Sequence, residues 1–523
     1  MITTNSETLH TSIGPKEHTN KWLFCILISM LFTWCVINII TKQFASFGPE
    51  TDFLGFFIKE ASRFTSGQPL ILGYHPPLYS ITLGITNTIF HNFFFSGLII
   101  SFVSSIIAVI LIYHAFTYLW GSSSGLGAVI FTLCNPVFLT SSSSAATDLF
   151  FFMLFYMTIY FSSLLYVKQN LRISIYLGIA IALATLTRTN GFILILLILT
   201  PFCTPNRSSL KLCLSAFLSF TLVLVMWLIF AIYSESSLYP SANKYNIAMT
   251  YYGSKLPGIG EGLIWAKNEF DSLSQVLMYD PKIIIKHYIY DFKRTISLII
   301  KHGTGRPLVW LIIPSLISIV LLPPRNRYLY LLAITYILQF LICSVMNYQS
   351  RFFLFFYPII GVGMSFLVIK YSPGNSIKQW VFNCILISGV VLSLVDAALI
   401  SSNKIYMDSD ELSAATEAVN QLKTDQTIVI SRKPHLSFFT KTVNVRGGAT
   451  SPLKQLALAE NEPYLDYQIL IYIGSTERKR WPKDVIETLQ QARPSKQFNQ
   501  IYRGEEAGGW KLFRVSRKVS ELQ

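Results

Sequence analysis

Acidic side chains that could act as a general base are rare in the first half of this sequence. Between Glu60 and Glu235 the chain has one carboxylate, Asp148, which begins an apolar run. Two further acids, Glu50 and Asp52, closely follow the first apolar run. A carboxylate beside a hydrophobic segment is costly, so it usually has a charged partner or a chemical role. Such groups suit the removal of a proton from a hydroxyl, although Asp52 and Asp148 could equally serve as helix N-caps.

Three basic side chains stand where an anion could bind. Arg188 occupies a polar break between two short apolar runs, Arg351 begins a later run, and His75 precedes Pro76-Pro77 at a helix start. Arginine forks and helix N-termini both bind phosphate oxygens. The three residues are potential cations and therefore predict a phosphate site. Snorkelling of the arginines to lipid headgroups is the alternative interpretation.

Aromatic side chains near these residues could stack on a sugar ring. Tyr74 and Tyr79 flank the His-Pro-Pro sequence, and Tyr245 and Trp265 lie in a Tyr-rich segment further along the chain. Rings of this kind also form the belts at membrane–water interfaces, which is their commoner role. Sugar contact is therefore the less frequent of the two interpretations.

The elements that must position these residues are membrane helices. The chain has 523 residues, of which 52% are hydrophobic and 13% charged, and its mean hydropathy is +0.47. This composition excludes a soluble globular enzyme, a disordered chain and a fibrous protein. All seven cysteines fall in apolar runs, which argues against a disulfide framework or a cysteine metal site.

The net charge of +15 points to the membrane rather than to nucleic acid. No basic stripe interleaved with aromatics occurs in a polar stretch of the sequence. Cytoplasmic loops and anionic lipid substrates account for the excess. P-loop and HExxH motifs are absent from the sequence, which excludes the enzyme classes that depend on them.

The apolar runs predict about eleven membrane spans. The first, 22–40, follows a polar segment and is long enough to span, so it is not a cleavable signal peptide. A shorter run, 78–91, predicts a re-entrant or interfacial helix. The other runs are 93–119, 123–140, 148–167, 173–187, 189–204, 212–233, 307–323, 327–346, 351–369 and 379–401.

Positive charges in the short loops orient these spans. The short loops 141–147 and 347–350 carry no charge, whereas four loops on the other side each carry two basic residues and no carboxylate. By the positive-inside rule the N-terminus is cytoplasmic, loops 41–92 and 234–306 face outward, and the protein is a multi-pass protein of the cytoplasmic (inner) membrane. The basic pairs are Lys168/Arg172, Arg207/Lys211, Arg325/Arg327 and Lys370/Lys378.

The sequence changes character after residue 402 and predicts a small extracytoplasmic α/β domain. The predicted organisation is a cytoplasmic tail over 1–21, an all-α polytopic membrane bundle over 22–402 and this α/β domain over 403–523. Its predicted elements are helices 409–422, 452–460 and 483–492 and strands 427–431, 468–473, 497–503 and 510–515, the last two forming a hairpin.

Four segments resemble, in the same order, parts of the GT-C integral-membrane glycosyltransferases, which include protein O-mannosyltransferases and aminoarabinose lipid A transferases. After the early carboxylate, an amphipathic helix ends at Ser66-Gly67 and HPPLY follows at 75–79. Residues 182–191, ALATLTRTNG, and 350–358, SRFFLFFYP, are similar to two Arg-containing segments of the family. Residues 431–434, SRKP, are similar to a stretch of the outer domain in bacterial members.

The resemblance implies a helical bundle with interfacial helices in the first outer loop, a polyprenyl-phosphate-linked sugar donor and an extracytoplasmic acceptor. It implies a general base at the first-loop acid, which corresponds to Asp52 or to Glu50. His75 falls among residues that bind the donor phosphate or face the acceptor. Asp148 corresponds to an acid that orients the acceptor or ligates a metal in some branches. No acid is paired with it here, so dependence on Mg²⁺ or Mn²⁺ stays open.

The residues and the resemblance together predict an inverting glycosyltransferase. It would move a sugar from a polyprenyl phosphate to a glycan, lipid or protein acceptor, with His75, Arg188 and Arg351 holding the donor phosphate. A flippase or polymerase for lipid-linked glycans, without this transfer chemistry, is the alternative. A solute transporter is disfavoured because the sequence shows no internal repeat.

Overall fold

The computed structural model covers most of the membrane part and the central sheet of the C-terminal part. The predicted base Glu50, the ring of Tyr74 and the SRKP segment lie outside the described residues. The residues described are 15–44, 52–73, 75–204, 209–238, 240, 243–252, 265–302, 312–321, 327–346, 350–371, 388–399, 414–424, 426–430, 436, 440, 456, 468–473, 486, 489, 491, 496–503 and 510–517.

The first outer loop folds into short helices. Gly67, at φ +69°, lets the chain reverse after an amphipathic helix. The helix that follows Pro76-Pro77 has 13 residues, too few to cross a bilayer, as its sequence predicts. The elements in order are α1 (Pro15–Phe44), a π-helical turn (Phe53–Phe57), α2 (Ile58–Thr65) and α3 (Leu78–Phe90).

Apolar helices at the predicted positions form the first half of the bundle. The predicted run 123–140 is two helices bent by 76°, because Pro136 begins a new helix that the Asn135 side chain caps. The elements are α4 (Phe93–Trp120), α5 (Ser122–Leu133), α6 (Pro136–Ser142), α7 (Asp148–Lys168), α8 (Leu171–Thr187), a 3₁₀ helix (Thr189–Cys203) and α9 (Ser209–Tyr233).

The second half combines a helical outer loop with further apolar helices. Three helices of the loop carry charged and aromatic residues, and the later helices return to apolar sequence. The elements are α10 (Asn243–Tyr252), α11 (Leu273–Tyr279), α12 (Pro281–His302), α13 (Ile312–Leu321), α14 (Arg327–Met346), a 3₁₀ segment (Ser350–Phe356), α15 (Tyr357–Tyr371) and α16 (Ser388–Leu399).

The helices are those of a multi-pass membrane protein. Five helices in the described ranges are long and apolar enough to cross a membrane, and α5 with α6 makes a sixth if the bent pair is one span. Five shorter apolar helices accompany them. The predicted runs 307–323 and 379–401 are described only in part, so the total of eleven spans stays a prediction.

Small residues allow α5 and α15 to pack at very short range. A Cβ atom on Gly361 of α15 would lie 2.2 Å from the carbonyl oxygen of Gly127 on α5. Close by, Ser365 Oγ donates a hydrogen bond to the Ser123 carbonyl at 3.0 Å. Membrane helices commonly associate in this way, because small residues let the backbones approach and hydroxyls bond across the contact.

The C-terminal part contains a mixed sheet built from the four predicted strands. Its strand order is β1-β2-β4-β3, with β1 parallel to β2 and the other pairs antiparallel. The predicted strands and hairpin pairing are confirmed, whereas the predicted turn 504–509 lies outside the described residues. The elements are α17 (414–422), β1 (Thr427–Ile430), β2 (Gln468–Ile473), β3 (Lys496–Arg503) and β4 (Lys511–Arg517).

Replacement of Gly361 with Ala should destabilise the bundle by about 1–3 kcal/mol, because the new methyl group meets backbone atoms that cannot move independently. Thermal unfolding of the purified protein measures the effect. Gly73→Ala is the matched control, since a Cβ there would lie 3.7 Å from the nearest atom, a normal contact. Equal unfolding temperatures for the two variants would contradict the close packing.

Candidate functional site

A buried carboxylate binds two arginines that are distant in the sequence. Asp148 Oδ1 accepts a hydrogen bond from Arg188 Nη2 at 2.5 Å, and Oδ2 accepts one from Arg351 Nη1 at 3.2 Å. The Asp148 side chain is only 3% exposed, so these partners must stabilise its charge. Two guanidiniums and one carboxylate leave a net positive charge, which suits an anionic ligand.

The start of α7 positions this carboxylate. Asp148 is the first residue of the helix, where negative charge interacts favourably with the helix dipole. Thr147, just before it, accepts a further hydrogen bond from Arg188 Nη2 at 2.8 Å. The side chain of Asp148 therefore binds arginine, in place of the capping role that the sequence also allowed.

A tight turn between α8 and the 3₁₀ helix positions Arg188. Its backbone is extended, at φ −145° and ψ 136°, and its carbonyl accepts a hydrogen bond from Gly191 N at 2.9 Å. A Cβ atom on Gly191 would lie 2.6 Å from the carbonyl oxygen of Ala184, so glycine permits the close return of the chain. The turn directs Arg188 to the buried carboxylate, which replaces the predicted alternative of snorkelling to headgroups.

The 3₁₀ segment Ser350–Phe356 positions Arg351 and is attached to α7 at a second point. Tyr156 Oη, on α7, donates a hydrogen bond to the Phe355 carbonyl at 2.6 Å. Tyr336 Oη, on α14, donates in turn to Tyr156 Oη at 3.3 Å. Since all three groups are buried, the segment is held by hydrogen bonds as well as by the ion pair of Arg351.

The ring of Phe352 lies against both guanidiniums. Arg188 Cζ is 5.1 Å and Arg351 Cζ is 5.2 Å from its centroid, and Phe151 lies 5.7 Å from Arg188 Cζ. These distances are those of cation–π contacts. The sequence analysis missed both rings, because the chain has 39 phenylalanines and the residue type carries no signal. Adjacency to Arg351 was the one available indication for Phe352.

Asp52 and His75 of the first outer loop form a second pair. Asp52 Oδ2 lies 3.8 Å from His75 Nε2, and the Asp52 side chain is 54% exposed, compared with 27% for His75. Asp52 precedes the π-helical turn but makes no capping hydrogen bond to it, which removes the capping alternative. The imidazole packs against Phe56 and Phe57, with ring centroids 5.2 and 4.7 Å away. Asp52 is thus an accessible carboxylate beside a fixed imidazole.

The imidazole of His75 is neutral at neutral pH. Its pKa is lowered to about 4, chiefly because burial disfavours the charged form. The charges of Arg188 and Arg351 lower the pKa further, whereas Asp52 opposes them. A contact between His75 and a phosphate, as the sequence predicts, would therefore use a neutral imidazole, which can still donate and accept hydrogen bonds. Both arginines therefore lie near enough to His75 for their charges to act on it.

Glu60, a further acid of the first outer loop, has a structural role. Its Oε2 accepts a hydrogen bond from Ile71 N at 2.7 Å, and its Oε1 lies 3.9 Å from Arg63 Nε. Burial raises the pKa of this carboxyl, while the Ile71 hydrogen bond and the charge of Arg63 oppose that shift. The contact ties α2 to the segment that leads to His75.

The described aromatic candidates pack against protein. Tyr79 is fully buried, with its ring 4.9 Å from that of Phe57, so it cannot stack on a sugar in this conformation. Tyr245 and Trp265 belong to a separate cluster in the second outer loop, where Trp265 lies 5.2 Å from the ring of Phe270.

The residues around Asp148 do not fit a divalent cation. Both of its carboxylate oxygens bind arginine, and a metal would require them as ligands. Within the described ranges, no group of three or more His, Cys, Asp and Glu side chains could hold a metal. The Mg²⁺ or Mn²⁺ ion considered for Asp148 is therefore not supported at this position.

Replacement of Asp148 with Asn should destabilise the protein by roughly 3–5 kcal/mol, because two guanidiniums lose their buried counter-ion. Thermal unfolding in detergent checks this prediction. Asp271→Asn makes the same chemical change at an exposed position and should leave the unfolding temperature unchanged. If the two variants unfold alike, the ion pairs do not stabilise the fold.

His75 should make stability depend on pH. Because its pKa is lower in the folded state than the usual value near 6.5, the unfolded chain binds a proton first as the pH falls. This contribution is complete above about pH 6.5 and is lost between there and about pH 4. From pH 7 to 5, wild type should lose about 2 kcal/mol more than His75→Asn.

The measurement is unfolding at each pH, with His91→Asn, an exposed histidine, as control. That control should follow wild type. A His75→Asn variant with the pH dependence of wild type would show that the imidazole is not kept neutral by its surroundings.

Solved structures share this architecture. ArnT from Cupriavidus metallidurans in the apo state aligns with a TM-score of 0.57 and 11% identity, over 92% of this chain and 98% of that one. The same protein bound to undecaprenyl phosphate gives 0.56 and 11%, over 95% and 98%. The archaeal oligosaccharyltransferase AglB from Archaeoglobus fulgidus, in complex with an inhibitory peptide and a dolichol-phosphate, gives 0.53 and 12%, over 96% and 75%.

Sequence similarity is more limited. Residues 74–233 match the family model of dolichyl-phosphate-mannose-protein mannosyltransferases. None of the curated protein sequences matches the chain. The matched region contains His75, Asp148 and Arg188. Asp52 precedes it and Arg351 follows it. The chain therefore has the fold of these solved structures, and part of its sequence matches the mannosyltransferase family model.

Proposed function

We propose that this chain is a glycosyltransferase that takes a sugar from a polyprenyl-phosphate-linked donor and transfers it to an acceptor hydroxyl. One observation carries the proposal. An exposed carboxylate, Asp52, shares a site with two arginines whose charge Asp148 only partly neutralises. The carboxylate suits the acceptance of a proton, and the arginines suit a phosphate.

In the proposed reaction the acceptor oxygen attacks the anomeric carbon from the side opposite the phosphate. The new oxygen–carbon bond forms while the bond between the anomeric carbon and the phosphate oxygen breaks. Asp52 accepts the proton of the acceptor hydroxyl, and the bonding electrons leave with the polyprenyl phosphate. The anomeric configuration is inverted by this single displacement.

Arg188 and Arg351 stabilise the charge that develops on the leaving phosphate. Asp148 acts through these arginines, since its two oxygens accept their hydrogen bonds and hold them in place. His75, being neutral, donates a hydrogen bond to the phosphate and lies beside Asp52, 3.8 Å from its carboxylate. Glu50 stands two residues before Asp52 in the sequence and is the alternative base.

The structural relatives support a lipid phosphate as the leaving group. ArnT was solved with undecaprenyl phosphate and AglB with a dolichol-phosphate, and the matching family model describes dolichyl-phosphate-mannose enzymes. The proposed acceptor is a glycan, lipid or protein on the outer side of the cytoplasmic membrane. A lipid-borne donor is reasonable there, because nucleotide sugars are confined to the cytoplasm. The charge distribution of the loops supports a cytoplasmic N-terminus.

The base assignment predicts the effect of Asp52→Asn. Purified protein, given a panel of polyprenyl-phosphate sugars and acceptors, should release polyprenyl phosphate, and this variant should slow the release by at least about 100-fold. Binding of polyprenyl phosphate alone should be retained, because the arginines are untouched. Arg188→Gln should instead weaken that binding.

Two further variants make the experiment decisive. Asp271→Asn, at an exposed position of the second outer loop, should have the rate of wild type. Loss of activity in Glu50→Gln but not in Asp52→Asn would move the base and keep the enzyme class. Binding of polyprenyl phosphate by every variant, with no release from any donor by wild type, would contradict transfer and favour a lipid-handling protein.

A further inference from the structure

We propose that α12 lies in the headgroup layer of the membrane and binds anionic phospholipids. This surface is distinct from the site described above, and the proposal does not depend on transfer of a sugar. It rests on the composition of the helix, the rows of its exposed side chains and the way its other face is packed.

The length of α12 would allow it to cross a membrane, but its composition does not. It has 22 residues and contains the basic residues Lys282, Lys286, Lys293, Arg294 and Lys301. Among the described helices, α12 therefore does not belong to those that are apolar enough to span a membrane, nor to the shorter apolar ones. A helix that combines apolar side chains with many cations is typical of the membrane interface, where it lies parallel to the surface.

The exposed face of α12 carries two parallel rows of side chains. Ile285, Ile289 and Ile296 form an apolar row, with 59%, 49% and 41% of their surface exposed. Lys282, Lys286 and Lys293 are also exposed and form a basic row. Each lysine precedes one of the isoleucines by three residues, so the rows are neighbours on the helix surface.

The opposite face of α12 is fixed against the bundle. Thr295 is fully buried, and the ring of Phe292 lies 5.5 Å from that of Phe340 on α14. Asp291, the one acidic residue of the helix sequence, is turned inward and is 6% exposed. The helix also contacts the 3₁₀ segment that carries Arg351. The packing therefore presents Lys282, Lys286 and Lys293 outward and the carboxylate of Asp291 inward.

The partner that fits both rows is an anionic lipid surface. A polyanion in water would match the lysines but would leave the isoleucines exposed. At a bilayer, the isoleucines enter the boundary of the acyl chains while the lysines remain at the level of the phosphates. Leu277 and Met278, at the end of α11, are exposed beside this helix in sequence and extend the apolar character of the surface.

The test places a fluorescent label on the apolar row of the full-length protein. Ile289→Cys is labelled with an environment-sensitive dye, in a background where Cys25, Cys203 and Cys384 are Ala so that the other described cysteines are buried. The protein is placed, one copy per nanodisc, in phosphatidylcholine alone or with about a third of phosphatidylglycerol. Emission and quenching by doxyl-labelled lipid are measured, and thermal unfolding confirms that each variant is folded.

In the anionic nanodiscs we expect blue-shifted emission and quenching by doxyl lipid. Each lysine at an anionic surface strengthens association about fivefold, so Lys282→Gln, Lys286→Gln and Lys293→Gln together should lower it about 100-fold and abolish the quenching. The control removes three positive charges elsewhere, with Lys168→Gln, Arg172→Gln and Lys211→Gln, and should quench like wild type.

Three results would overturn the proposal. Solvent-like emission in both lipid compositions would show that the helix does not contact the membrane. Quenching that is equal with and without phosphatidylglycerol would reduce the contact to an apolar one. Equal loss in the triple Lys variant and in the control would assign the effect to net charge and not to this helix. Since one copy occupies each nanodisc, contact with a second copy cannot produce the expected signal.

Discussion

The arrangement of the site depends on the charge of Asp148 being satisfied inside the bundle. A carboxylate with 3% exposure is stable only with partners of opposite charge, and its partners come from the turn after α8 and from the 3₁₀ segment after α14. These ion pairs therefore fix three separate parts of the chain relative to one another. Because two arginines share one carboxylate, the same interaction that stabilises the fold leaves positive charge for a ligand.

The two carboxylates of the site are distinguished by their exposure. Asp148 is buried and uses both oxygens on arginine, whereas Asp52 is 54% exposed and faces a neutral imidazole. A base must be accessible to the hydroxyl that it deprotonates, and a counter-ion must be shielded to hold its partners firmly. Under the proposed function, this difference in burial makes Asp52 the base and Asp148 the counter-ion of the arginines. Burial also disfavours the charged form of His75.

Much of this arrangement could be predicted because charges are scarce in an apolar sequence. Each one that borders a hydrophobic run needs an explanation, and the explanation places Asp148, Arg188 and Arg351 together. The strands of the C-terminal sheet could also be predicted, since they alternate with turn residues. The contributions of Phe352 and Tyr156 were not, because nothing distinguishes one ring among many until the chain is folded. The neutrality of His75 was also hidden, because it results from burial by residues that the sequence does not identify as neighbours.

The proposed polyprenyl-phosphate donor would impose a further constraint, because its phosphate lies at the level of the headgroups while its chain lies in the bilayer. The arginines that meet such a phosphate must therefore be held at that depth. If α12 lies among the headgroups as proposed, its contact with the segment that carries Arg351 sets this depth directly. The helix would then align the site with the plane in which its donor diffuses. The lysines of α12 would then bind the phospholipids that surround the protein. The arginines of the site would bind the donor lipid at the same level of the membrane.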